Sequence, residues 1–118
     1  MAMQIMPGKI NGKSISYEDG CKEINVTDVL RSICDDYFEE ETVLEEDEEI
    51  TIEVVHSDKI IPLSQRIETE IFSLLDKLQN TKGDTARKEI ATDIKDLILF
   101  RSVIISALST KDVVLTIS

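Results

Sequence analysis

The hydrophobic residues of this chain recur with a strand-like period near its start. Two short apolar segments, residues 4–10 and 13–17, flank the pair Asn11-Gly12. Asn-Gly is the favoured central pair of a type I′ turn, because both central residues of that turn have positive φ. The pattern therefore predicts a β-hairpin. A further strand is predicted where Ile and Val alternate with Thr and Glu over residues 50–56.

A helical pattern separates these predicted strands. Seven side chains recur at i, i+3, i+4, i+7, i+8, i+11 and i+12, which places them on one helix face: Val26, Val29, Leu30, Ile33, Cys34, Tyr37 and Phe38. Asn25 can cap the start of this helix, and Asp28 suits its positive end. We therefore expect an amphipathic helix from Val26 to about Glu40, where acidic residues oppose the negative end of the helix dipole.

The second half of the chain has the pattern of an antiparallel helical hairpin. Apolar residues at a spacing of 3–4 predict one helix from Pro62 to Gln79 and another from Thr85 to Leu108. A final apolar run at residues 113–117 predicts a strand that pairs with the sheet or with a second chain. The expected fold class is α+β: a small, mainly antiparallel sheet with one amphipathic helix, followed by a C-terminal antiparallel helical hairpin and a short final strand.

Length and composition are those of one domain. The 118 residues are 42% hydrophobic and 31% charged, which is ordinary for a globular protein with a single core. We expect residues 1–57 to hold the β-hairpin, the first helix, an acidic connector and a strand, and residues 58–118 to hold the helical hairpin and the terminal strand. Cys21 and Cys34 are lone thiols, and no signal peptide or membrane span is evident, so we expect a cytoplasmic protein.

The last predicted helix is more apolar than a surface helix requires. From residue 97 to residue 108 its only polar side chains are one arginine and two serines. A helix that is apolar nearly all round must be covered, and few elements of so short a chain are available to cover it. We therefore predict a homodimer whose interface contains Leu97, Phe100, Ile104 and Leu108.

Arg101 lies within this apolar stretch and has two interpretations. A buried guanidinium needs a partner, which Glu68 or Glu70 can supply as an ion pair across the helical hairpin. Alternatively, Arg101 and Arg66 line an interhelical or intersubunit pocket that binds a small anionic ligand.

The negative charge of the chain is concentrated in residues 35–49. The formal net charge is −11, and this segment contains no Lys or Arg. The rest of the chain contains 14 of the 24 acidic residues and all 13 basic residues, so it is nearly neutral. The ten acids of the segment are Asp35, Asp36, Glu39, Glu40, Glu41, Glu45, Glu46, Asp47, Glu48 and Glu49. The segment is either a solvated connector or a docking surface for a basic protein, for example the cleft of a nucleic-acid-binding enzyme. Its charge disfavours direct contact with nucleic acid, and we expect no contact with a membrane.

Residues with candidate chemistry are few. His56 is the only histidine and stands at the end of a predicted strand. The two cysteines form no paired metal or redox motif, and the four glycines do not cluster into a phosphate-binding loop. The acidic segment lacks the alternating ligands and central glycine of a calcium-binding loop. We therefore expect no enzymatic activity, no catalytic residue, no metal and no cofactor.

The leading interpretation is a non-enzymatic regulator, inhibitor or adaptor that engages a basic partner protein through residues 35–49. One alternative is the binder of a small anionic ligand, with Arg101 and Arg66 in its pocket. The other is a structural subunit of a larger assembly, which docks through its last helix. The small size and the lack of a catalytic set suit a regulator encoded by a phage or a mobile element.

Overall fold

A computed structural model describes residues 4–17, 24–25, 27–109 and 113–117 of the chain. Within these ranges the chain forms six strands and three helices: β1 (Gln4–Asn11), β2 (Ser14–Tyr17), β3 (Ile24–Asn25), α1 (Asp28–Cys34), β4 (Glu39–Glu45), β5 (Glu48–Val55), α2 (Ser57–Asn80), α3 (Asp84–Leu108) and β6 (Val114–Ile117). The α+β class, the mainly antiparallel sheet, the C-terminal helical hairpin and the final strand are confirmed. No described helix is long and apolar enough to cross a membrane.

The strands close into a ring. Their order in the sheet is β2-β4-β5-β6-β1-β3, and β2 also pairs with β1, so β1, β2, β4, β5 and β6 form a five-stranded ring to which β3 is attached along β1. The ring is antiparallel except where β2 meets β4, at a parallel bridge between Ser14 and Leu44. A closed sheet has an inner face that side chains must fill. Five buried apolar residues fill it here: Ile15, Val43, Ile52, Val54 and Val114.

The final strand β6 lies inside the sheet and not at its edge. It pairs with β5 on one side and with β1 on the other, and all four of its residues are buried. Its one polar side chain is satisfied, because Oγ1 of Thr116 donates a hydrogen bond to the carbonyl of Met6 (2.9 Å). Of the two predicted partners of this strand, the sheet is therefore the one that it pairs with.

The main core lies between the outer face of the ring and the three helices. The ring contributes Ile5, Val55, Leu115 and Ile117, and α3 lies against α1, α2, β1 and β6. This packing corrects the reasoning behind the predicted interface: Leu97, Phe100 and Ile104 are 0% exposed because the sheet and the other helices of the same chain cover them. Of the four residues predicted for an oligomer interface, Leu108 alone is exposed.

The first helix is shorter than its apolar pattern predicted. Helix α1 ends at Cys34 and not near Glu40. Asp35 and Asp36 follow at once, and negative charge at the C-terminal end of a helix is unfavourable. The acids beyond them are held in β4 by seven residue pairs with β5, an interaction between elements that a helical period cannot reveal.

The acidic segment is correspondingly not a connector. Residues 39–49 form β4, a two-residue turn and the start of β5, so the segment is mostly one β-hairpin. The turn residues Glu46 and Asp47 have φ of 50° and 67°, values that both central positions of a type I′ turn require. Acidic residues occupy both faces of β4. Its sequence therefore lacks the alternation of apolar and polar residues that is typical of a strand.

The first predicted hairpin is present, but its turn is displaced by one residue. Asn11 pairs with Ser14, so the central residues of the turn are Gly12 and Lys13. Gly12 has φ of +61°, whereas Lys13 is not among the described residues with positive φ. A glycine with positive φ at the first central position is typical of a type II′ turn. The prediction of a type I′ turn centred on Asn11-Gly12 was therefore wrong.

Candidate functional site on the β4–β5 hairpin

The β4–β5 hairpin collects most of the acidic segment and divides it between two ends. Eight of the ten acids lie on this hairpin, while Asp35 and Asp36 follow α1. Glu39 and Glu41 stand near the start of β4, and the other end carries five consecutive acids. At about 3.3 Å per residue, the seven residues of β4 separate the two ends by roughly 20 Å.

We call the five consecutive acids the acidic tip: Glu45, Glu46, Asp47, Glu48 and Glu49. Four of them are exposed and Glu45 is half-buried. Glu45 stands opposite Glu48 in the strand register, so like charges face each other across the hairpin. No ion pair or side-chain hydrogen bond joins any of the five to a residue that the structure describes. The acidic tip is therefore a positioned cluster of carboxylates that form no ion pair with the described part of the chain.

Two adjoining cavities lie beside the hairpin. One of about 460 Å³ reaches Glu49, and the other of about 500 Å³ reaches His56. Both are lined by Lys13, Glu41, Thr42 and Val43. Lys13 comes from the turn between β1 and β2 and supplies the cation shared by the two linings.

At the other end of the hairpin, His56 lies between two glutamates. Its Nε2 is 3.0 Å from Oε1 of Glu41 and 3.7 Å from Oε2 of Glu39. The ammonium of Lys59 donates a hydrogen bond to Oε1 of Glu39. This bond and the charge of Lys59 lower the pKa of the Glu39 carboxyl, and the same contact raises the pKa of Lys59. Glu39 is therefore ionised at neutral pH.

Asp35 belongs to a structural ion pair and not to the acidic tip. Arg31 of α1 donates two hydrogen bonds to the carboxylate of Glu53 on β5, at 2.7 and 3.0 Å, and its Nε lies 3.2 Å from Asp35. The bonds to Glu53 raise the pKa of Arg31 further. A bidentate arginine has a defined geometry, so these contacts fix α1 against the outer face of the ring.

The two arginines predicted to line a ligand pocket, Arg66 and Arg101, have different surroundings. Arg66 lies 3.7 Å from Glu70, one turn along its own helix. Arg101 is half-buried, and no hydrogen bond or ion pair connects it to the described part of the chain, so the pairs predicted with Glu68 or Glu70 are absent. The geometry gives no reason to assign the two guanidiniums to a common pocket.

Cys34 has the environment of a core residue. It is completely buried at the end of α1, and the loss of hydration raises the pKa of its thiol to about 12. A thiol that stays protonated is a poor nucleophile and a poor metal ligand. Cys21 lies outside the described residues.

The cluster of Glu39, Glu41 and His56 is the feature that sequence reasoning missed. In the sequence His56 is the only histidine, and Glu39 and Glu41 belong to a run of consecutive acids. The available signal was the i, i+2 spacing of Glu39 and Glu41, which places both on one face once the segment is known to be a strand.

Comparisons with protein-family models, with curated proteins and with solved structures give no match. The fold defines the class as an α+β protein with a five-stranded ring, one short helix and a helical hairpin. The charge and geometry of the β4–β5 hairpin are the basis for the function proposed below.

Proposed function

We propose that this protein is a non-enzymatic regulator or inhibitor that binds a basic surface of a partner protein through its acidic tip. The observation that carries the proposal is the presentation of five consecutive carboxylates, without a cationic partner among the described residues, at the turn of a paired hairpin. Uncompensated charge of one sign attracts a complementary surface and speeds association with it. The proposal places the protein in the cytoplasm, in keeping with the free thiol of Cys34.

The shape of the acidic tip favours a narrow basic cleft over a flat surface. The tip is the end of a two-stranded hairpin, and the strands of such a pair are about 5 Å apart. A row of carboxylates of this width can occupy a site that otherwise holds a row of phosphates. We therefore propose a nucleic-acid-binding enzyme as the class of partner, with inhibition as the consequence of occupying its cleft.

The decisive experiment neutralises the acidic tip without changing side-chain shape, by Glu45→Gln, Glu46→Gln, Asp47→Asn, Glu48→Gln and Glu49→Gln. The immobilised wild-type chain is expected to capture basic proteins from a host lysate at low salt and to release them at high salt, because salt screens exposed charges. The neutralised variant is expected to capture none of them. The captured proteins are identified by mass spectrometry and tested for loss of nucleic-acid binding when the wild-type chain is added.

A matched control separates the position of the charges from their number. It removes five acids from the helical hairpin, by Glu68→Gln, Asp76→Asn, Glu89→Gln, Asp93→Asn and Asp96→Asn. The net charge is then equal to that of the tip variant, and binding should survive. A tip variant that retains the wild-type partners would contradict the proposal, as would equal losses in both variants.

The apolar surface of the helical hairpin favours a second candidate, a self-associating subunit. Five exposed apolar residues each follow directly after a residue that belongs to the main core or packs against it: Ile61, Phe72, Leu75, Ile98 and Ile105. Each residue along an α-helix is rotated by about 100° from the one before it. In two antiparallel helices that face each other, the residues that follow the facing positions therefore point to the same side of the helical hairpin. These five residues therefore share one side of the hairpin, a surface suited to a second copy of the chain.

A further inference from the structure

Two glutamates and the single histidine of the chain bring donor atoms together at the end of the hairpin opposite to the acidic tip. One donor atom from each of Glu39, Glu41 and His56 lies within 4.8 Å of the other two. Neither the acidic tip nor the apolar side of the helices involves these residues. We propose that Glu39, Glu41 and His56 form a binding site for a divalent transition-metal ion of the zinc type.

The two separations from His56 are close to those of ligands around a small tetrahedral ion, and the two glutamate donor atoms lie within 4.8 Å of each other. Zn²⁺ binds histidine nitrogen and carboxylate oxygen at roughly 2.0–2.2 Å, so two ligand atoms on one ion stand about 3.4 Å apart. Nε2 of His56 lies 3.0 Å from Oε1 of Glu41 and 3.7 Å from Oε2 of Glu39. These two distances bracket the required separation, and small rotations of the glutamate side chains bring both to it.

The donor set selects the kind of ion. Imidazole nitrogen with carboxylate oxygen suits zinc and its neighbours in the first transition series, whereas Mg²⁺ and Ca²⁺ prefer oxygen ligands alone. Two carboxylates and a neutral imidazole supply two negative charges to a divalent ion, and Lys59 shares one of these carboxylates through Oε1 of Glu39. Binding requires an unprotonated Nε2, which leaves the ring proton on Nδ1.

The backbone presents the three ligands from ordered elements. Glu39 and Glu41 are alternate residues of β4 and leave the same face of the strand, while β5 beside it leads directly into His56. His56 is the N-cap residue of α2, and its carbonyl accepts a hydrogen bond from the backbone N–H of Lys59 (2.9 Å). An ion at this point joins β4 to the junction of β5 with α2.

The surroundings complete the site without blocking it. Lys59 binds Oε1 of Glu39, which leaves Oε2 directed at His56. Glu41 and His56 both line the cavity of about 500 Å³, so a fourth coordination position is open to water on that side. Lys13 in the same lining offers a charge that can attract a small anion to this position.

The test is a calorimetric titration of the full chain with ZnCl₂. The chain carries Cys21→Ser, so that the thiol of Cys21 cannot bind zinc outside the proposed site. We expect one Zn²⁺ per chain, and a melting temperature that rises with Zn²⁺ because the ion binds the folded state. His56→Ala and Glu41→Gln should each weaken binding at least about tenfold, the loss that even indirect disturbance of a metal ligand causes. MgCl₂ should bind far more weakly than ZnCl₂.

Two controls distinguish this site from general attraction by acidic residues. Glu40→Gln removes one exposed carboxylate between the two proposed ligands, on the opposite face of β4, and should leave Zn²⁺ binding unchanged. The fivefold neutralised tip should also bind Zn²⁺ normally, so this result is independent of partner binding. If His56→Ala does not fold by circular dichroism, Glu41→Gln and Glu39→Gln decide the question.

Three results would overturn the proposal. The first is the absence of Zn²⁺ binding by the folded chain. The second is Zn²⁺ binding that His56→Ala and Glu41→Gln leave intact. The third is Mg²⁺ binding of equal affinity, which would indicate a nonspecific carboxylate cluster.

Discussion

The buried thiol of Cys34 illustrates how single side chains of this protein are controlled by their neighbours. Burial raises its pKa to about 12, and the charges of Glu53 and Asp35 raise it as well. Arg31 opposes this shift, but its guanidinium is bound to those same two acids. The thiol therefore stays protonated, although an arginine lies nearby.

We expect Cys34 to resist a thiol reagent such as DTNB at pH 8 in the folded chain and to react rapidly after unfolding. Folding raises the pKa of the thiol from 9.0 to about 12, so this group's contribution to stability is complete below pH 9 and is lost as the pH rises towards 12. The measurement uses Cys21→Ser, in which Cys34 is the only thiol. Equal labelling of folded and unfolded chains would show that the thiol is accessible.

Among the elements, the β4–β5 hairpin combines two unfavourable features. Glu46 and Asp47 adopt positive φ, a backbone conformation that costs a residue other than glycine about 1–2 kcal/mol. The same turn gathers five like charges. Such a turn is poorly optimised for stability, which is common at surfaces that serve binding.

The double substitution Glu46→Asn with Asp47→Gly should raise the free energy of unfolding by about 1–2 kcal/mol, because Asn-Gly accepts positive φ at both positions. Urea denaturation at high salt measures this effect with little contribution from charge repulsion. Unchanged stability in the double variant would show that the turn at Glu46 and Asp47 is not strained.

Gly12→Ala should act in the opposite direction and lower the free energy of unfolding by about 1 kcal/mol, since Gly12 has φ of +61°.

Over the whole molecule, charge and apolar surface lie on different parts of an elongated shape. The protein measures 53 × 28 × 26 Å, and its two helices of 24 and 25 residues are each about 37 Å long. The acidic tip belongs to the ring, whereas all seven exposed large hydrophobic residues among those described are on the helical hairpin. Self-association and binding of a basic partner can therefore use separate surfaces.

We expect light scattering to show a dimer at high protein concentration, because Phe72 and Ile105 are 72% and 61% exposed on the shared side of the helical hairpin. Phe72→Ser with Ile105→Ser should give a monomer of unchanged helicity. The control is Leu99→Ser, which removes an exposed apolar residue about 200° around α3 from the facing residue Leu97. A wild-type monomer at every concentration, or a dimer that survives the double substitution, would contradict dimerisation through this side.

Sequence periodicity predicted the elements that pack through one apolar stripe. Residues 60–78 and 90–108 have a helical period that local spacing reveals, and both helices are present. Local spacing failed at residues 35–40, where it predicts a continued helix but α1 ends at Cys34 and β4 pairs with β5 from Glu39 onwards. Local spacing also could not show that Leu97, Phe100 and Ile104 are buried within the chain, because the elements that cover α3 come together only in the tertiary structure.

The acidic segment shows most directly what each level of information decides. From the amino-acid sequence alone follow its charge, the α+β class and the helical hairpin, because these depend on composition and on spacing between near neighbours. Only the tertiary structure turned the segment into a hairpin, divided its acids between the tip and the pair Glu39 and Glu41, and brought His56 within 3.0 Å of Glu41. Those features depend on contacts between strands, and the pairing partner of a strand is not encoded in its own residues alone.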